Sequence, residues 1–131
     1  MQSKRFLGNV VITLCFLLAF VLSIFATSVY AGQAEVVNVK ITLLSAGKYR
    51  IDTTLKHADT GWDHYANAWL VFDEDGNKIG ERVLHHPHVN EQPFTRSLTL
   101  TIPANTKNIV IKAQDSVHGI NEKGKQVVLP K

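Results

Sequence analysis

The sequence predicts an all-β fold, an immunoglobulin-like antiparallel β-sandwich of about seven strands preceded by a signal peptide. Three observations lead to this prediction. Apolar residues alternate with polar ones through several short segments, turn-forming residues separate these segments, and no stretch has the three-to-four-residue apolar period of an amphipathic helix. The segments expected to be strands are residues 37–43, 49–55, 66–72, 79–84, 94–102, 109–113 and 126–129.

The first two segments show the alternation most clearly. Val37 and Val39 are separated by a polar residue, and the same order continues along the segment, so the strand is expected to bury one face. Residues 49–55 follow the same rule, with Ile51 and Leu55 on the apolar face. Each of these segments therefore predicts a half-buried strand.

The third segment, residues 66–72, is more continuously apolar and is expected to be a central strand. Trp69 lies in the middle of this segment and is expected in the core, whereas Trp62 is expected to pack the preceding loop down. Asp75-Gly76 then predicts a turn into the fourth segment, residues 79–84.

The second half of the chain continues the pattern. In residues 94–102, threonine and serine alternate with apolar side chains and with Arg96, and Pro103 ends the segment. Two shorter apolar segments complete the set. The longest polar connections are residues 57–64 and 117–125.

The N-terminal residues have the features of a secretory signal. Lys4 and Arg5 precede an apolar run over residues 10–25, and Val29 and Ala31 occupy the −3 and −1 places of a cleavage site. We therefore expect residues 1–31 to be a signal peptide and residues 32–131 to be a periplasmic or secreted domain. A retained anchor stays open, because the run approaches the length of a membrane-spanning helix.

Charge and cysteine content exclude several classes of function. Without Lys4 and Arg5, 12 basic residues remain against 11 acidic ones, so nothing favours nucleic-acid binding. Cys15, the single cysteine, follows Leu14 instead of the small residue expected before a lipidated cysteine. Residues 32–131 therefore have neither a disulfide nor a thiolate ligand. We expect no membrane association after cleavage; a protein partner is possible, and the oligomeric state stays open.

Six histidines lie in three places: around the first long loop, at residues 85–88, and after the sixth predicted strand. Strand ends meet at the two ends of a sandwich, where loops present functional side chains. Imidazole is a ligand for iron, copper and zinc, so convergence of these residues predicts a transition-metal site. The candidate ligands are His57, His64, His86, His88, His118 and Asp115.

The same histidines have a second interpretation, in which they form hydrogen bonds at a solvated rim. In an extended chain His85 and His86 point to opposite faces, so at most His86 and His88 share one. Asp59 is among the carboxylates that would orient an imidazole from outside the ligand set. Ser97 lies in no nucleophile-elbow pattern, no catalytic residue is predicted, and enzymatic activity stays undecided.

Two short elements resemble the iron-binding domain of superoxide reductases, the desulfoferrodoxin and neelaredoxin group. The stretch from His57 to Tyr65 resembles the family's His-Pro-x-x-x-x-His-Tyr/His element, and Asp115-Ser-Val-His118-Gly119 resembles its Cys-Asn-x-His-Gly element. The resemblance implies an immunoglobulin-like sandwich that holds one iron ion, with His57, His64 and His118 among its ligands. It extends in element order over about residues 35–129.

The chain departs from that family in its ligands. Asp115 stands in the place of the cysteine ligand, and no histidine of residues 32–131 precedes His57. A carboxylate there implies a harder site than a thiolate would make. His86 or His88 would then replace the missing upstream histidine.

A second resemblance, through the stretch from Lys56 to Gly61, is to the small sandwich subunit of the thiosulfate-oxidising carrier complex. It implies an interaction module and no catalysis. We therefore carry two hypotheses. The first is an exported sandwich that binds a transition metal, with a role in metal handling or in oxidative-stress redox chemistry. The second is a metal-free interaction module or carrier-complex subunit, in which the strand from Glu91 to Leu98 and the aromatic loop form the contact surface.

Overall fold

The computed structural model describes residues 32–131, so the predicted signal peptide lies outside the described residues and stays a prediction. This part of the chain contains eight strands and no helix. Within it, therefore, no helix is long and apolar enough to cross a membrane. The strands are β1 (Glu35–Ser45), β2 (Lys48–Lys56), β3 (Ala66–Phe72), β4 (Lys78–Val83), β5 (Phe94–Thr101), β6 (Asn108–Asp115), β7 (Gly119–Ile120) and β8 (Lys125–Val128).

The strands form two antiparallel sheets. One sheet has the order β1-β2-β5, and the other has the order β4-β3-β6-β7, with β8 also paired to β6. Strands β7 and β8 together occupy one edge position, so the sandwich has seven strand positions although it has eight strands. The predicted fold class, an all-β antiparallel sandwich of the immunoglobulin-like kind, is confirmed.

The core lies between the sheets, where the alternation places the apolar side chains. Ile51 and Leu55 of β2 and Ile111 of β6 are fully buried. Trp69 is fully buried as well, as predicted for the central strand β3. Gly80 lets the edge strand β4 lie close to the other sheet, because a Cβ there would meet the side chain of Leu100 at 2.8 Å.

Two details differ from the sequence prediction. The register of β1 against β2 shifts between Val36 and Asn38, and this bulge turns Val37 outward while Val36 packs on the core. Trp62 does not pack its loop down, because it is 67% exposed; its ring lies edge-to-face with that of Tyr65, with centroids 5.5 Å apart. The bulge at Val36–Asn38 cannot be predicted from the alternation of apolar and polar residues, because it adds one residue to β1 and none to β2.

The strand order brings three connections to one end of the sandwich. Ala66, the first residue of β3, pairs with Asp115, the last residue of β6, so the loop before β3 and the turn after β6 are neighbours. Phe94, the first residue of β5, pairs with Leu55 near the end of β2. The connection between β4 and β5, residues 84–93, therefore lies at the same end; we call it the histidine-rich connection. All six histidines therefore lie on connections that meet at this end.

Candidate metal centre

The loop between β2 and β3 is folded back on itself so that its two histidines meet. The backbone N–H of Thr60 donates to the carbonyl of His64 at 3.0 Å, and the N–H of His64 donates to the carbonyl of Gly61 at 3.3 Å. Gly61 has a φ of 138°, a conformation that favours glycine. This tight turn returns His64 to the side of His57.

Two imidazoles and one carboxylate meet beneath this loop. Nε2 of His57 lies 3.2 Å from Nε2 of His64, which in turn lies 3.0 Å from Oδ1 of Asp115. One potential ligand atom from each of these residues lies within 4.8 Å of the other two. His57 and Asp115 are buried, and His64 is half-buried.

Asp59 determines which nitrogen of His57 faces this cluster. Its Oδ1 accepts a hydrogen bond from Nδ1 of His57 at 2.5 Å and another from the backbone N–H of Ala66 at 3.0 Å. An ionised carboxylate only accepts hydrogen bonds, so this contact favours the tautomer with the proton on Nδ1, in which Nε2 of the neutral ring presents a lone pair. Asp59 therefore contacts the ring of His57 at the nitrogen that faces away from the cluster.

Asp115 is held as an ionised carboxylate. Its burial alone would raise the pKa, but the backbone N–H groups of His118, Val117 and Ala34 donate to the carboxylate and hold its pKa below the ordinary value. The bonds from His118 and Val117 reach Oδ1 at 2.7 and 3.0 Å. Because the carboxylate is ionised at neutral pH, Asp115 is ready to bind a cation.

His118 lies at the outer border of the cluster. Its Nδ1 donates to Oδ1 of Asp115 at 3.1 Å, and its ring centroid is 5.0 Å from that of His64. It does not belong to the group whose ligand atoms all lie within 4.8 Å of one another. Within residues 32–131, its Nε2 has no hydrogen-bond partner.

His86 and His88 do not join the group either. The ring of His88 is buried and stacks on Phe94, with centroids 3.9 Å apart and planes 8° from parallel. Neither of its ring nitrogens has a hydrogen-bond partner among residues 32–131. The ring of His86 is exposed, and its centroid lies 4.6 Å from that of His88. Metal binding by any of the candidate ligands stays a prediction.

Burial lowers the pKa of His88 from the ordinary histidine value, and the neighbouring charges of Arg96 and His86 lower it further. The main chain of His88 nevertheless contributes to the cluster. Its N–H donates to Oδ2 of Asp59 at 2.7 Å, so the histidine-rich connection supports the carboxylate that orients His57.

Sequence reasoning missed two supporting residues. The side-chain oxygen of Gln92 accepts the N–H of His57 at 3.0 Å, and its amide donates to the carbonyl of His88 at 3.1 Å. Ala34, a fully buried residue before β1, donates its N–H to Asp115. Nothing in the sequence singles out either residue, because a glutamine before a strand and an alanine in a short polar stretch are common.

Two imidazoles and one carboxylate are a ligand set for zinc, iron or copper that leaves further coordination positions open. Asp59 behind His57 is the usual outer partner of a metal-binding histidine, since it fixes the tautomer and the ring orientation. Chemically, the cluster therefore offers ligand atoms of the kinds that first-row transition-metal ions take.

Comparison with known proteins gives one relative of clear similarity. The chain is 42% identical over 89 residues to a protein of Halomicrobium mukohataei named "Putative lipoprotein"; the match covers 66% of the chain and 43% of the relative. The chain thus spans less than half the length of that relative. No protein-family model matches the chain. No solved structure matches it.

Proposed function

We propose that this protein is an exported β-sandwich protein that binds a transition-metal ion through His57, His64 and Asp115, with His118 at the border of the site. One observation carries the proposal: potential ligand atoms of three residues, two in the loop between β2 and β3 and one at the end of β6, converge within 4.8 Å. Metal–nitrogen and metal–oxygen bonds of about 2 Å allow a single ion to reach all three after small side-chain adjustments.

The surroundings of the three residues support this function. The Nε2 lone pair of His57 faces the cluster because Asp59 holds the opposite nitrogen. Asp115 keeps its charge although its side chain is buried, because three backbone N–H groups donate to the carboxylate. An anionic oxygen ligand is therefore available beside the two imidazoles.

The ligand set favours metal handling over redox catalysis of the superoxide-reductase type. In the resemblance noted above, Asp115 stands at the place of the cysteine ligand. A carboxylate is a harder donor than a thiolate and provides less electron density to the metal. We therefore propose metal binding or carriage as the main function, and place an oxidative-stress redox role second.

The proposed location is the periplasm or the cell exterior. The N-terminal residues have a signal-peptide pattern. The relative's name, "Putative lipoprotein", is in keeping with export, although the matched region covers 43% of that protein.

Elemental analysis of untagged protein purified after export tests the proposal. We expect close to one transition-metal ion per chain in the wild type and loss of that ion in His64→Ala. His85→Ala provides a matched control, since His85 is exposed and outside the ligand group. Equal, sub-stoichiometric metal in the wild type and both variants would contradict metal binding.

An interaction module is the second candidate, favoured by the exposed apolar side chains beside the cluster. Trp62 and Val117 are exposed, and the two loops that carry them are joined by reciprocal hydrogen bonds between Tyr65 and Ser116. An exposed tryptophan on an anchored loop is typical of a contact surface. A protein without stoichiometric metal whose association with a partner is lost in Trp62→Ala would favour this second function.

A further inference from the structure

Exposure increases in steps along three neighbouring imidazoles of the metal centre. The side chain of His57 is 1% exposed, that of His64 is 15% exposed and that of His118 is 38% exposed. The ring centroids are 4.6 Å apart between His57 and His64 and 5.0 Å apart between His64 and His118. The three rings are therefore successive neighbours, from the buried ring of His57 to the exposed ring of His118.

The two ends of this series differ in their surroundings, although each is held by one ring contact and one backbone hydrogen bond; those of His118 both go to Oδ1 of Asp115. The ring of His57 is fixed by Asp59, and its backbone is fixed by Gln92. His118 lies in the short turn between β6 and β7, next to Val117, which is exposed. Its one side-chain hydrogen bond within residues 32–131 runs from Nδ1 to Asp115, which leaves the lone pair of Nε2 available to an incoming ion.

We propose that His118 is the entry ligand of the metal centre, which captures the ion from solvent or from a donor and passes it to His57, His64 and Asp115. This inference rests on the proposed metal-binding function. Release follows the same path in reverse, so the ion never has to leave all its protein ligands in one step. The buried ligands determine Kd, and His118 determines the rates of loading and release.

An entry ligand has a kinetic signature that a permanent ligand lacks. It stabilises the partly bound state between solvent and the buried ligands, so its loss slows loading and release by the same factor. Kd is the ratio of the two rate constants and therefore stays nearly unchanged. Loss of a permanent ligand instead raises Kd, because the bound state itself is destabilised.

The test is stopped-flow transfer of Zn²⁺ between the full-length exported protein and a chromophoric chelator, with Kd measured by competition. In His118→Ala we expect both rates to fall about tenfold and Kd to change less than about threefold, whereas His64→Ala is expected to raise Kd about 10-fold to 100-fold. His85→Ala, an exposed histidine outside the ligand group, is the matched control and should keep wild-type rates.

His118→Gln separates metal capture from simple support of Asp115, because a glutamine amide can donate to the carboxylate but lacks the imidazole lone pair. We expect it to be as slow as His118→Ala. Three results would each overturn the entry role. The first is wild-type rates in His118→Gln, and the second is unchanged rates in His118→Ala. The third is a Kd increase in His118→Ala as large as that in His64→Ala. None of these three results contradicts the proposed metal-binding function as long as the wild type binds Zn²⁺. A wild type that binds no Zn²⁺ would overturn both the entry role and the proposed function.

Discussion

Asp59 accepts a hydrogen bond from Nδ1 of His57 at 2.5 Å, and both side chains are almost completely removed from solvent. The two oxygens of Asp59 also accept the backbone N–H groups of Ala66 and His88. One carboxylate thus links the loop before β3, the first residue of β3 and the histidine-rich connection. The orientation of His57 therefore depends on residues that come from three parts of the chain.

The first prediction concerns this carboxylate. Asp59→Asn should weaken metal binding about 10-fold to 100-fold. The amide nitrogen of the new asparagine would face the backbone N–H of Ala66 or His88, and two donors cannot pair, so the side chain would no longer hold His57 in its orientation. Isothermal titration with Zn²⁺ measures the change. Asp63→Asn, an exposed position in the same loop, serves as control and should bind like the wild type. Equal affinity in the two variants would show that Asp59 does not position His57.

The second prediction concerns His88 and acid stability. Its pKa is lowered in the folded protein, chiefly by burial and then by Arg96 and His86, while Glu91 and Asp59 oppose the shift. The unfolded chain therefore binds the proton more readily. The free energy of unfolding should decrease as the pH falls from the ordinary value of 6.5 towards the lower folded pKa, and be unaffected by this group above that range.

His88→Phe should remove this acid-dependent loss, because phenylalanine can stack on Phe94 and takes up no proton. Urea unfolding of the apo protein at several pH values between about 5 and 7.5 provides the measurement. His85→Gln is the control, since His85 is exposed and should leave the pH dependence unchanged. A His88→Phe variant with the wild-type pH dependence would contradict the assignment to His88.

The third prediction concerns Thr53, whose buried hydroxyl has no hydrogen-bond partner within residues 32–131. Thr53→Val should raise the free energy of unfolding by about 1 kcal/mol, because it removes an unpaired polar group from the core. Thr54→Val is the matched control in the same strand: its hydroxyl lies 2.7 Å from that of Thr95, so this change should give no stabilisation. Chemical denaturation of both variants distinguishes the two expectations.

The fourth prediction links metal binding to stability. Free Zn²⁺ at 100 times its Kd should raise the free energy of unfolding by about 2.7 kcal/mol, since the ion binds only the folded arrangement of its ligands. A strong chelator should reverse the effect. His64→Ala should show no such increase, whereas His85→Ala should respond like the wild type. Equal stabilisation of both variants would place the ion elsewhere.

Much of the fold could be predicted because strand periodicity is a local property. The predicted limits of the third strand, residues 66–72, agree with β3, and the burial of Trp69 follows from its apolar neighbours. β7 was missed, because a strand of two residues that begins with glycine carries no alternation. The exposure of Trp62 was missed as well, since composition alone does not say whether an aromatic residue in a loop faces the core or solvent.

The site was predicted less completely. The sequence names His57, His64, Asp115 and His118, and direct contacts at His64 and Asp115 link the side chains of these four candidates. His88 was named with them, but its ring stacks on Phe94 while only its main chain reaches Asp59. The direction of a side chain in an irregular connection depends on which core surface it can cover.

The sequence by itself determined that this domain is a two-sheet sandwich whose histidines lie at strand ends, because alternation and turn residues act over a few neighbouring positions. Only the tertiary structure decided which histidines meet. His64 reaches Asp115 across 51 positions because β3 and β6 pair in a register that places Ala66 opposite Asp115. That register follows from the packing of the whole core, so no short stretch of sequence contains it.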